Sequence, residues 1–239
     1  MSRNSGLAKL LRIVGIVLMG ITAAFTLMGG AGTSCAAFAP ENPKWVDSMG
    51  SLAPYQWVYI LFVVATLAIG VMGIRAVILL IQGRANAYRY SVIALVLGIV
   101  VGGIHMALSR NLRGSSMPVD GVVYTTVLTL IVFLVFRIPF IWQGVNFEKP
   151  TANQDLRRGA AAITLLLSSL LTLTVQVWAG PAHMFDGINY ADAWHTQLTL
   201  VGWGLALAGV GLLAALPLKR FIRSQAASRQ ETGTKPASS

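Results

Sequence analysis

The sequence predicts an all-α fold, a polytopic transmembrane helix bundle with six spans and both termini in the cytoplasm. Three observations predict it: a low content of charge, six long apolar runs, and an uneven placement of the basic residues. Only 11% of the 239 residues are charged, 55% are hydrophobic, and the mean hydropathy is +0.69. Because a soluble domain carries about 25% charged residues, this chain cannot cover a water-facing surface, and lipid must surround much of it.

Each of the six apolar runs approaches or exceeds the roughly 20 residues that cross the hydrocarbon core of a bilayer. A backbone in lipid has to satisfy its own hydrogen bonds, which favours a continuous helix in each run. The runs and their short loops fill residues 1–223 as one domain, and the polar residues 224–239 are expected to form a disordered cytoplasmic tail. The predicted spans are 13–30, 57–81, 91–108, 122–141, 160–178 and 196–218.

The first run follows three basic residues, Arg3, Lys9 and Arg12, an arrangement that resembles the start of a signal peptide. The sequence leaves open whether this run is removed. The five further spans favour a retained first helix.

The basic residues predict the orientation of the bundle. The chain has 18 Lys and Arg against 8 Asp and Glu, a formal net charge of +10. With the N-terminus in the cytoplasm, only Lys44, Arg110 and Arg113 fall on the outer side, which is the positive-inside bias of membrane proteins. The excess charge then faces anionic lipid headgroups, so nucleic acid is not an expected partner. A bacterial-type inner membrane is the expected location, and Arg75 and Arg137 are expected to reach its headgroups.

The leading functional hypothesis is a small integral membrane subunit without catalytic chemistry, not an enzyme. No span carries Asp, Glu or Lys near its middle, where ion-coupled pumps usually keep an ionisable group. Phosphate-binding loops, serine-nucleophile elbows and zinc-protease motifs are absent from the sequence. Small residues four apart, such as Gly98 and Gly102, are typical of close helix packing. The expected partners are the lipid bilayer and other membrane subunits or a second copy of the chain.

An alternative hypothesis is a redox subunit that binds haem b or a quinone near the outer face. His105 lies near the outer end of the third span, and His195 begins the sixth. Two histidines on packed helices can ligate a b-type haem, and Arg110 and Arg113 would then pair with its propionates.

The histidines and acids of the last outer loop suggest a metal site as a further alternative. Imidazole and carboxylate groups are suitable metal ligands, although no known ligand spacing is matched. The structural alternative is a set of exposed interfacial side chains. The candidate ligands are His183, Asp186, Asp192 and His195.

The third functional hypothesis is a small-solute transporter with a polar path along the fifth span. Four polar residues there are spaced four apart, which keeps them near one helix face. The alternative interpretation is a packing surface, since hydroxyl residues commonly hydrogen-bond between membrane helices. The stripe consists of Thr164, Ser168, Thr172 and Gln176.

Overall fold

The computed structural model describes residues 2, 5–43, 46–150, 154–180, 184, 185, 188, 189, 192 and 194–233. The first half of the chain forms α1 (Gly6–Gly32), α2 (Ser34–Phe38), α3 (Val46–Met49), a 3-10 helix (Gly50–Tyr55), α4 (Gln56–Gln82) and α5 (Ala87–Arg113). The second half forms α6 (Val119–Phe136), α7 (Pro139–Val145), α8 (Gln154–Leu173), α9 (Val175–Trp178) and α10 (His195–Gly233). A minimal antiparallel pair, β1 (Met184–Phe185) and β2 (Ile188–Asn189), precedes α10.

Six of the described helices are long and apolar enough to cross a membrane, which confirms the predicted helical fold and the number of candidate spans. Large apolar side chains point away from the bundle, as lipid-facing side chains do. Among them Val64 is 60% exposed, Ile104 57% and Leu200 70%. A water-facing helix would carry polar residues there. The six helices and their exposed apolar faces therefore indicate a multi-pass helical membrane protein.

Two predicted spans are interrupted in the structure. The fourth run was predicted as one helix over 122–141, but α6 ends at Phe136 and α7 begins at Pro139. Proline lacks the N–H that would continue the ladder, and it disfavours helical backbone in the residue before it. Ile138 is accordingly extended, with φ −54° and ψ 127°. The fifth run divides at Thr174, whose hydroxyl donates to the carbonyl of Leu170 at 2.7 Å.

Other helices extend beyond their predicted ends. The α1 helix begins at Gly6 rather than at residue 13, because the Ser5 hydroxyl accepts from the Ala8 N–H and caps it. The α10 helix runs to Gly233, so the structure has helix through residue 233 in the segment predicted as a disordered tail. Ala, Gln, Arg and Glu in this segment all have good helix propensity.

Four antiparallel helices form the main bundle: α1 contacts α4 and α6, and α5 contacts both α4 and α6. The α8 helix packs on α1 from outside this bundle, and α10 packs on α8. Since α1 contacts α4, α6 and α8, it is the central element of the fold. Its first residues mark one end of the bundle, which we name the Arg12 end. We name the opposite end the His105 end.

The apolar core is densest at the Arg12 end. Phe133 and Phe147 stack with their rings 5.7 Å apart and nearly parallel, and Phe136 packs beside both. Ile16 and Met19 of α1 belong to the same buried cluster. This aromatic layer closes the interior of the bundle at the Arg12 end.

Arg12 joins three helices at this end, although its guanidinium is almost fully buried, with 5% of the residue exposed. It donates to the carbonyls of Leu80 (3.3 Å), Val145 (3.2 Å) and Asn146 (2.9 Å), and it lies over the Phe147 ring at 5.6 Å. These carbonyls lie at the ends of α4 and α7, where helices carry partial negative charge. The Leu80 and Asn146 carbonyls also accept from the Gly83 and Lys149 N–H groups, so Arg12 adds a charged second donor at these helix ends.

Two glycines adopt left-handed backbone at helix ends, Gly83 after α4 (φ 67°) and Gly114 after α5 (φ 71°). A Cβ at Gly83 would lie 2.6 Å from the Lys149 carbonyl oxygen, whereas one at Gly114 would meet nothing within 4 Å. Both Ala variants should lose about 1 kcal/mol of stability to the left-handed conformation, and Gly83→Ala about 1–2 kcal/mol more to crowding. Thermal unfolding in detergent measures the difference, and equal losses would contradict it.

Candidate functional site

His105 is buried inside the main bundle, with 5% of its surface exposed. Its ring stacks on Phe62 of α4, with centroids 4.5 Å apart and planes 17° apart, and the edge of Tyr59 approaches at 5.4 Å. Its position on α5 is fixed by these two rings rather than by a hydrogen bond. Within the described residues, no hydrogen bond reaches the His105 imidazole.

A small cavity of about 20 Å³ adjoins the His105 ring. Its polar lining consists of His105, Thr26 of α1 and Thr66 of α4, and Gly98 and Gly102 of α5 leave room between the helices. The Thr26 hydroxyl donates to the Thr22 carbonyl at 2.7 Å, which leaves its oxygen able to accept. For Thr66, as for His105, the described part of the chain provides no hydrogen-bond partner.

A second cavity lies further toward the middle of the bundle and measures about 10 Å³. The hydroxyls of Thr22, Thr26 and Thr126 line it, and each donates to the carbonyl four residues earlier in its own helix. The Thr22 and Thr129 hydroxyl oxygens also lie 2.7 Å apart and bridge α1 and α6. Thr22 and Thr26 are four residues apart, and Thr126 and Thr129 are three apart. This helical spacing is the sequence pattern that would have identified these inward-facing threonines.

The predicted haem-binding arginines have partners in the connection between α5 and α6 and in the first turn of α6. Arg110 pairs with the Asp120 carboxylate at 2.7 Å and donates to Ser116 at 2.8 Å. Arg113 donates to the Met117 carbonyl at 2.8 Å. Ser116 itself bonds to Asp120. These contacts hold the connection together at the His105 end.

The structure does not bring His105 and His195 together. His105 is enclosed by the main bundle, whereas His195 is exposed at the start of α10, with its Nδ1 3.0 Å from the Gln176 amide nitrogen. Haem or quinone binding by this pair stays a prediction.

The predicted metal ligands are only partly described. His183 and Asp186 lie outside the described residues, and Asp192 and His195 are exposed. Among the residues that the structure does describe, no three His, Cys, Asp or Glu side chains form a group that could hold a metal. The four-residue metal site therefore stays a prediction.

The polar stripe of the fifth span faces other helices. Thr164, Ser168 and Thr172 are buried, and the hydroxyls of Thr164 and Thr172 donate to carbonyls of α8 at 2.9 and 2.8 Å. Thr164 packs directly against Gly20 of α1, and Gln176 pairs with His195. The three hydroxyl residues thus lie at helix contacts, and none of them lines the cavities described here.

Arg75 and Arg137 are exposed toward the Arg12 end and lie over aromatic rings. The Arg75 guanidinium is 5.2 Å from the Tyr90 ring centre, and that of Arg137 is 4.6 Å from the Trp142 ring centre. Cation–π contact of this kind still leaves donors for an external acceptor. Their predicted contact with lipid headgroups stays a prediction.

A large apolar groove opens between α6 and α10, with α1, α8 and α9 as its floor. Its volume is about 580 Å³, and Cys35 lies at one of its walls. Sequence periodicity does not predict this groove, because it results from how far apart two non-neighbouring helices pack. Its lining includes Phe25, Gly29, Gly121, Thr125, Leu171, Trp178, Leu198 and Val201.

Comparison with protein-family models, curated protein sequences and solved structures finds no match to this chain. Function therefore has to be inferred from the chain's own residues. The His105 cavity and the groove between α6 and α10 are the two features that bear on it. The cavity is small and has three polar residues in its lining, and the groove is large and apolar, so the two suit different partners.

Proposed function

We propose that this protein is a small integral membrane subunit, without catalytic chemistry of its own, that receives a transmembrane helix of another membrane component in the groove between α6 and α10. The groove is the observation that carries the proposal. Its volume is about 580 Å³, large enough to admit side chains from one face of a helix, whose full width is about 10–12 Å.

The surface of the groove favours a helix as its occupant. Gly121 and Thr125 lie four residues apart on the α6 wall, and Gly29 lies on the α1 floor. A Cβ added at Gly121 would meet nothing within 4 Å, so this glycine leaves its helix backbone accessible. Membrane helices associate through small residues at such spacing, because close backbone approach maximises van der Waals contact.

The distribution of charge supports an orientation with both termini in the cytoplasm. Lys9, Arg75 and Arg137 belong to the helix ends that meet at the Arg12 end. Basic residues are retained on the cytoplasmic side of membrane proteins. We therefore place the Arg12 end at the cytoplasmic face of a bacterial-type inner membrane, with the His105 end toward the outside.

Filling the groove should release the partner. Gly121→Trp is expected to place an indole in the groove, since Gly121 lines it and an added Cβ there meets nothing within 4 Å. We expect at least about tenfold less partner to co-purify with this variant after gentle detergent extraction, which corresponds to a loss of about 1.4 kcal/mol of binding free energy. The measurement is the mass of the extracted complex by light scattering, with its components identified by mass spectrometry.

Gly204→Trp is the matched control, because Gly204 on α10 is equally open and does not line the groove. It should retain the partner. The proposal fails if the two variants retain the partner equally, or if the unchanged protein is extracted as a monomer with no other protein. A partner that proves to be a second copy of the chain would identify the assembly as a homo-oligomer.

A further inference from the structure

We propose that His105, Thr66 and Thr26 bind a single water molecule that bridges α5, α4 and α1. The inference is independent of the groove and its partner. It starts from the His105 imidazole, which is 5% exposed and has no hydrogen-bond partner among the described residues. The His105 ring nitrogens are not among the fully enclosed unpaired atoms of the described residues, and the residue lines the cavity, so the nitrogens retain access to space for a water. Because an unpaired polar group in a buried site costs about 1–3 kcal/mol, such a water would stabilise the imidazole.

The volume of the cavity limits the size of the ligand that it can hold. A cavity needs about 10–15 Å³ of space for a water-sized probe to hold one water. The His105 cavity offers about 20 Å³, which accepts one water molecule and excludes a quinone ring or any organic ligand. A single water is therefore the ligand that fits.

The polar groups around the cavity match the needs of that water, which typically makes about three hydrogen bonds. His105 provides one ring N–H and one ring acceptor when neutral. Thr66 provides a hydroxyl that no described group engages, and Thr26 provides an oxygen whose proton is already donated to Thr22. Together they come from three helices, so the water would join α1, α4 and α5.

We expect a single water at this site and no chain of waters leading from it into the bundle. The next cavity offers only about 10 Å³, at the lower limit for a water, and its hydroxyls on Thr22, Thr26 and Thr126 already donate to carbonyls. Beyond it the stacked Phe133 and Phe147 close the interior. Across the helices that the structure describes, the two cavities therefore do not form a continuous water path.

Water-edited solid-state NMR in lipid bilayers tests the site directly. In a His183→Gln/His195→Gln protein with ¹⁵N-labelled histidine, His105 is the one remaining histidine. We expect magnetisation to pass from water to its ring nitrogens. Thr66→Val, which removes one hydroxyl at nearly constant volume, should reduce this transfer at least about threefold.

Two further variants make the result specific. Thr66→Ser restores the hydroxyl and should restore the transfer, even if Thr66→Val proves difficult to fold. Thr125→Val is the matched control, because the Thr125 hydroxyl faces the groove and bonds to Gly121, and it should leave the transfer unchanged. Absence of transfer to His105 in the unchanged threonine background, or undiminished transfer in Thr66→Val, overturns the proposal.

Discussion

Replacing Arg12 with Met is expected to lower the free energy of unfolding by about 3 kcal/mol, since buried carbonyls lose a charged donor. The guanidinium donates to Leu80, Val145 and Asn146. Met keeps much of the aliphatic volume but supplies no donor, so the ends of α4 and α7 lose their shared contact. The midpoint of thermal unfolding in detergent micelles measures the effect.

Lys9→Met is the matched control, because it removes the same formal charge from the same helix, about one turn earlier. Lys9 is partly exposed, so its replacement should change stability by less than about 0.5 kcal/mol. Arg12→Lys should lie between the two, since an ammonium group lacks the planar fork that reaches several acceptors at once. Similar losses in Arg12→Met and Lys9→Met would show that charge alone, rather than the carbonyl contacts, accounts for the effect.

Gly73→Val is expected to destabilise the contact between α1 and α4 by about 2–3 kcal/mol through overpacking. A Cβ at this position would lie 2.8 Å from the Ala23 Cβ and 3.2 Å from the Ala23 Cα. The Ala23 side chain has no rotamer with which to move away, so one helix would have to shift. Because α1 also contacts α6 and α8, the shift would spread through the fold.

The control for this substitution is Gly103→Val, in a helix interior where an added Cβ meets nothing within 4 Å. It carries the same change in helix propensity without the crowding. The difference between the two unfolding midpoints therefore isolates the cost of separating α1 from α4. Equal midpoints would mean that α1 and α4 can move apart freely.

The helical class and the six apolar helices are predictable from composition and run length, because a lipid solvent requires long apolar segments that satisfy their own backbone hydrogen bonds. The ends of the helices are predictable only where a single residue stops or caps a helix. Pro139 would have divided the fourth run correctly, since its missing N–H is a property of the residue itself. The start of α1 at the Ser5 cap was likewise a local signal.

The candidate site was less predictable, because it depends on which helices become neighbours. The position of His105 near the end of its span follows from the sequence, but its stacking on Phe62 requires the contact between α4 and α5. Pairing His105 with His195 depends on which helices α5 and α10 contact, and α10 packs mainly on α8; the pairing stays a prediction. Arg110 was expected to pair with a ligand, and in the structure it pairs with Asp120, ten residues later at the start of α6.

The contacts of Arg12 also bear on biosynthesis. Its acceptors come 68 residues later at Leu80 and 134 residues later at Asn146. At about 5–20 residues per second, the ribosome needs roughly 7–27 s to reach the last of them. During that interval the Arg12 side chain can interact with headgroups at the membrane surface. It can connect α1, α4 and α7 only after α7 has been synthesised.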